Sequence, residues 1–96
     1  MNAIGVIEVS GMVAGVEASD AMLKTADVKI LTWEKKLGGR LVSIVITGDV
    51  MAVRAAVEQG ETVANSITKT VSKAFINNPH EEVIKIIQKS AAKYSI

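Results

Sequence analysis

The apolar positions change their period several times along the chain, and each change marks an element. "AIGVIEVS" (Ala3 to Ser10) is short and rich in β-branched residues, with Glu8 and Ser10 on one alternating set, which predicts a strand. Gly11 breaks it. In "MVAGVEASDAMLKTAD" the polar residues Glu17, Asp20, Lys24 and Asp27 recur at spacings of three and four, with Met12, Val16 and Leu23 on the other, apolar side. This predicts a helix of about four turns, in which Asp20 and Lys24 stand at the i, i+4 spacing of an ion pair. "VKILTWEKK" (Val28 to Lys36) alternates Val28, Ile30, Thr32 and Glu34 against Lys29, Leu31, Trp33 and Lys35, and reads as a second strand. "LVSIVIT" (Leu41 to Thr47) is an almost unbroken β-branched run, the pattern of a strand covered on both faces. Between the two, Gly38 and Gly39 supply a hairpin turn.

Asp49 stands where a helix N-cap belongs, and Arg54, Glu58 and Glu61 keep one face of the helix that follows. Gly60 is expected to bend or interrupt that helix, which resumes through "ETVANSI". "TVSKAFIN" (Thr70 to Asn77) gives a fourth strand. Asn78 as cap, Pro79 at the first helical position and Glu81 as the capping-box acid predict a final helix. That helix carries Val83, Ile87, Ser90, Ala91 and Tyr94 on one side and Lys85, Gln88 and Lys89 towards the other. The order strand, helix, strand, strand, helix, strand and terminal helix is the ferredoxin-like split βαβ order of an α/β (α+β) fold. Two helices then cover one face of a mainly antiparallel sheet. The architecture alone assigns no function.

Composition narrows the choice of function. The 96 residues suit one domain. Apolar residues make up 49% of them and aromatic residues 3%, so the core is built from Ala, Val, Ile, Leu and Met, with apolar surface left over for other copies of the chain. A net charge of +1 argues against nucleic acid. No apolar stretch approaches the ~18 residues of a membrane span, and "MNAIGVIEVSG" is no secretory signal, so a soluble, cytoplasmic protein is expected. With no Cys and a single His, no metal site and no cofactor are expected. His80 reads as a surface residue at a helix start. No G-x-S-x-G gives Ser19, Ser43 or Ser66 a nucleophile setting, and "LGGR" lacks the spacing of a phosphate-binding loop. The acids of the first helix share their face with Lys24, which makes them a solvated stripe. Enzyme activity is not expected.

"IGVIEVSGMVAGVEASDAMLKTADVKI", then "WEKK", the glycine hairpin, "VSIVITGDV" and "AVRAAVEQG" resemble the bacterial microcompartment shell domain. That family's pattern runs G-M-I-E-T-x-G, E-A-x-D-A-M-x-K-x-A-x-V, Y-E-K-x-G-x-G and R-G-D-V. The resemblance covers Ala3 to His80 and is nearest to the short, hexamer-forming members. It implies a shell domain over residues 1–96, with a core at 3–80 and a helical extension at 81–96. It also implies a structural subunit of a shell in the bacterial cytoplasm, whose six-fold rings tile around encapsulated enzymes. The implied partners are five further copies of the chain, other shell proteins and those enzymes, with no nucleic acid and no membrane.

On the same resemblance, Leu37, Gly38, Gly39 and Arg40 would line a central pore for small polar or anionic metabolites. Lys24 and Asn78 would make contacts at the ring's edge. Four features depart from the family pattern. The hairpin is one residue longer, Asn78 replaces an edge arginine, Thr47 replaces the arginine of R-G-D-V, and the terminal helix runs beyond the usual short tail. A reading of another class, from the residues alone, is an oligomeric ferredoxin-like regulatory domain that binds a small anion at its glycine hairpin.

Overall fold

The structure, a computed structural model, describes residues 2–93, apart from the side chains of Thr70 and Val71. Its elements are β1 (Ala3–Ser10), α1 (Met12–Thr25), β2 (Lys29–Lys36), a short turn (Leu37–Gly39), β3 (Leu41–Gly48), α2 (Val50–Ile67), β4 (Thr70–Asn77) and α3 (Glu81–Ala91). The strands form one sheet in the order β2-β3-β1-β4, and every neighbouring pair is antiparallel. Alternation turns Ile7, Val9, Val42, Ile44 and Ile46 towards the two-helix layer. There they meet Ala14, Ala18 and Met22 of α1 and Val53, Ala56, Val57 and Ala64 of α2 in one core. Asp49 caps α2 as its position predicts: its Oδ1 accepts from the backbone N–H of Met51 at 3.0 Å and of Ala52 at 3.5 Å.

Four local expectations are corrected. The apolar side assigned to α1 does not face the core: Met12, Val16 and Leu23 are 42%, 52% and 47% exposed. Its buried side is Ala14, Gly15, Ala18, Ser19 and Met22. Small residues let this helix lie close to the sheet, since a Cβ on Gly15 would stand 2.8 Å from Val42 Cγ1. Gly60 does not bend or interrupt α2, which is continuous from Val50 to Ile67. It marks a close approach to α1, where a Cβ would come within 2.8 Å of Met22 Cγ and 2.9 Å of its Sδ.

The strict alternation read for β2 also fails. The register shifts between Ile30 and Thr32, with Leu31 the extra residue, so Ile30 and Trp33 pair with the core residues Ile46 and Ile44 and share a face.

The fourth correction is the start of α3, whose cap is His80 rather than Asn78. His80 Nδ1 accepts from the N–H of Glu82 at 3.0 Å. Asn78 instead takes a left-handed φ of 52° and donates its N–H to Asn2 O at 2.9 Å. Pro79 lies buried before the helix rather than inside it.

α3 lies on the sheet face opposite α1 and α2. Ser90 Oγ donates to Glu34 Oε2 at 2.7 Å and stands 3.4 Å from Thr32 Oγ1. These β2 residues pair with Ser43 and Val45, whose side chains point away from the core of α1 and α2. On this face Val45 of β3 is buried while Leu41, Ser43 and Thr47 are only half-buried, so β3 is less fully covered here than its unbroken apolar run indicates, because α3 packs on β2. Tyr94, assigned by sequence to the docked side of α3, lies outside the described residues. No described residue of α3 is fully buried; half-buried Val83, Ile84, Ile87 and Ala91 and the Ser90–Glu34 bond together dock it. Ser90→Ala should weaken α3 by about 1–2 kcal/mol, a rise of roughly five- to thirtyfold in amide exchange from Val83 to Ala91. Exchange that is already unprotected in the parent chain would show that α3 does not dock.

Candidate functional site

The residues singled out by the sequence lie at the two ends of the sheet. At one, β2 and β3 pair as far as Lys36 and Leu41, and residues 37–40 turn the chain. Leu37, Gly38 and Gly39 are all left-handed, with φ of 55°, 68° and 92°. The two glycines take this conformation without penalty, and added Cβ atoms would meet nothing within 4 Å, so the turn rather than packing requires them. Leu37 holds it at a cost of about 1–2 kcal/mol, and its side chain is 69% exposed.

Arg40 returns to the right-handed helical region and donates its N–H to Leu37 O at 3.4 Å. Its carbonyl accepts the N–H of Gly11 at 2.9 Å, which ties the hairpin to the end of β1. The Arg40 side chain is exposed and, among the described residues, makes no ion pair. Lys35 pairs with Val42 on the α1–α2 face and Lys36 with Leu41 on the other, so the two lysines diverge. The hairpin therefore joins the four residues singled out there in the sequence: an apolar tip, two residues of bare backbone and an exposed cation.

The other end lies about 26 Å away along eight-residue strands. Here the chain enters β2 at Lys29 and leaves β4 at Asn77, and Ala3 pairs with both Gly48 and Asn77. Lys24, near the end of α1, and Asn78 flank this end and are exposed. Lys24 Nζ stands 2.9 Å from Asp20 Oδ2. The hydrogen bond and the charge of Asp20, with a smaller push from Glu17, raise the Lys24 pKa above 10.5 against a slight opposing effect of desolvation. A raised lysine pKa adds stability below 10.5 that is lost as pH climbs through the folded value, so the pair is intact at neutral pH. Being solvent-exposed, it contributes little.

A cleft of about 570 Å³ opens at the same end, lined by Asn2, Asp27, Lys29, Thr47, Gly48 and Asp49. Asp49 is committed there to capping α2. Among the described residues no three His, Cys, Asp or Glu side chains are grouped to hold a metal.

Two contacts that shape these ends have no motif in the sequence. One is the Gly11–Arg40 tie. The other is a relay in which the Trp33 indole donates to Ser19 Oγ at 2.9 Å and Ser19 Oγ donates to Gly15 O at 2.7 Å, fixing α1 against β2. The need of a lone, partly buried indole N–H for an acceptor is the one signal that could have announced the relay.

The chain matches the BMC domain model over residues 3–79. It is 37% identical over 91 residues to the bacterial microcompartment shell protein PduA of Salmonella typhimurium, across 95% of this chain and 96% of that protein. It is 46% identical over 89 residues to the shell protein EutM of Escherichia coli, across 90% and 91%. A solved microcompartment protein from Desulfitobacterium hafniense superposes with a TM-score of 0.79 at 34% identity. The superposition covers 94% of this chain and 48% of that one, so the chain spans about half of that structure. The chain belongs to the BMC-domain family and is a bacterial microcompartment shell subunit, a structural protein rather than an enzyme. That membership displaces the regulatory-domain reading.

Proposed function

We propose that six copies close into a flat ring with the hairpins at the six-fold axis, leaving a narrow pore for small polar or anionic metabolites. Rings then tile through the opposite ends of the strands, with other shell proteins, around the enclosed enzymes. In this reading residues 3–80 form the tile and residues 81–96 an extension, of which α3 is carried on one face. The observation that supports it most is the division of the sheet into unlike ends. One end gathers Leu37, Gly38, Gly39 and Arg40, which makes no ion pair among the described residues, while Lys24 and Asn78 flank the other. Bare glycine backbone allows six loops to approach closely, and its N–H groups with a nearby cation favour anions. Electron microscopy of the purified chain should show rings with a central hole. Particles without a hole would contradict the reading.

Tiling should be weak. Asn78 stands where relatives of the shell-domain pattern carry an edge arginine, and Asn lacks that planar, charged donor fork. Its φ of 52° gives a local reason for Asn, which tolerates the left-handed region better than Arg does. Asn78→Arg should strengthen sheet formation while lowering chain stability by about 1 kcal/mol. Sheets that are robust in the parent chain and unchanged by the substitution would assign tiling to another contact.

A further inference from the structure

The two ends of α3 are secured by different chemistry. At its far end Ser90 Oγ donates to Glu34 Oε2 at 2.7 Å. At its start the imidazole of His80 accepts, through Nδ1, the N–H of Glu82 at 3.0 Å. A ring nitrogen accepts only while it carries no proton, so this cap exists only for the neutral imidazole with its proton on Nε2. The usual capping residues, Asn, Asp, Ser and Thr, keep their acceptor oxygen throughout the range around neutrality. His80 is exposed, so a proton reaches it from solvent without any opening of the fold.

Uptake of that proton has two effects of the same sign. Nδ1 becomes a donor facing another donor, so the bond is lost and the N–H of Glu82 is orphaned. The new positive charge also stands at the positive end of the helix dipole. Glu81 and Glu82 in the first turn attract the imidazolium, but Glu82 Oε2 already stands 3.2 Å from Lys85 Nζ. The segments that adjoin the cap contribute Asn2, Asn77 and Asn78, which carry no charge. On the sheet face opposite α1 and α2, alternation places Glu8, Lys29, Glu34 and Lys36, two of each sign, so the sheet adds no net charge beneath α3. Lys89 and Lys93 lie at the far end of α3, more than about two helical turns away.

We infer that His80 makes α3 an acidity-sensitive flap, capped and docked on the sheet at neutral pH and loosened as pH falls through the imidazole range. The proton and the cap exclude each other, so acid that protonates the ring empties the cap. The stability that the cap adds is therefore present with the neutral ring and lost on the acid side. The helix responds because it is lightly held: none of its described residues is fully buried. Loosening it uncovers Thr32, which is 2% exposed and stands 3.4 Å from Ser90 Oγ. The inference needs only the docked helix, and it stands whether or not six copies form a ring.

Amide exchange of the full chain at about pH 7.5 and about pH 5.5, corrected for the intrinsic rate at each pH, tests this. Carboxylates as a class titrate about two pH units below imidazoles, so this window reads the ring. Protection from Val83 to Ala91 should fall about three- to tenfold at the lower pH, while that of β1 stays unchanged. His80→Asn, which supplies a cap oxygen that does not titrate, should hold its protection at both values. His80→Ala should be poorly protected at both. A parent chain without the pH step, or a step that survives in His80→Asn, would overturn the inference. A step that β1 shares would overturn it too, because acid would then be loosening the whole domain.

Discussion

Met22→Ala should lower the unfolding free energy by about 2–5 kcal/mol, a large part of the roughly 5–15 kcal/mol available to a small domain. Met22 is 0% exposed and fills the crossing of the two helices. Its Cγ stands 2.8 Å, and its Sδ 2.9 Å, from where a Cβ on Gly60 would be, and Ile7 Cδ1 is 3.6 Å from that same point. Truncation leaves a void bordered by a glycine, which has no side chain to move into it. The helices could close the gap only by sliding, and the approach of α1 to Val42 at Gly15 resists that. Urea unfolding at one fixed protein concentration should show a lower midpoint with an unchanged slope. A loss under about 1 kcal/mol would show that the layer collapses freely onto the vacancy.

Arg40→Ala should leave the ring intact and reduce anion passage several-fold. The side chain is exposed at the hairpin and makes no ion pair among the described residues, so its removal costs the fold little. Six copies would remove six positive charges from one opening. Bulk salt screens charges beyond about 8 Å at physiological ionic strength, but a narrow passage with low-dielectric walls screens less. The bias towards anions should therefore persist at moderate salt and fade at high salt. Lys35 and Lys36 cannot replace it together, because alternation sends them to opposite faces of the sheet. Sulfate occupancy near the axis in crystals of the parent and variant rings would measure the effect. Equal occupancy in both, or an Arg40 side chain buried between subunits and pointing away from the opening, would remove it from the pore.

The elements legible in the sequence are those in which local pattern and tertiary role agree. β1 and β4 begin and end where their β-branched runs do, the glycine pair turns the hairpin, and Asp49 caps α2. What could not be read depends on partners that are distant in sequence. Periodicity shows that Met12, Val16 and Leu23 share a stripe, but not whether their own core or another surface covers them. The core's demand for a close helix selected Ala14, Gly15 and Ala18 instead. Gly60 looks like a helix breaker until Met22 is seen against it. Asn78 looks like a cap until its backbone is found left-handed, leaving His80 to accept the N–H of Glu82. The family motif singles out the four hairpin residues, which share one turn because they are consecutive in the chain. The left-handed Leu37 and the Gly11 tie, which fix how that group is presented, have no signature in spacing.

Native mass spectrometry of the dilute parent chain in mild salt tests the ring most directly. A single dominant species at six times the 10.2 kDa chain mass is predicted, and a monomer or dimer under the same conditions would contradict it.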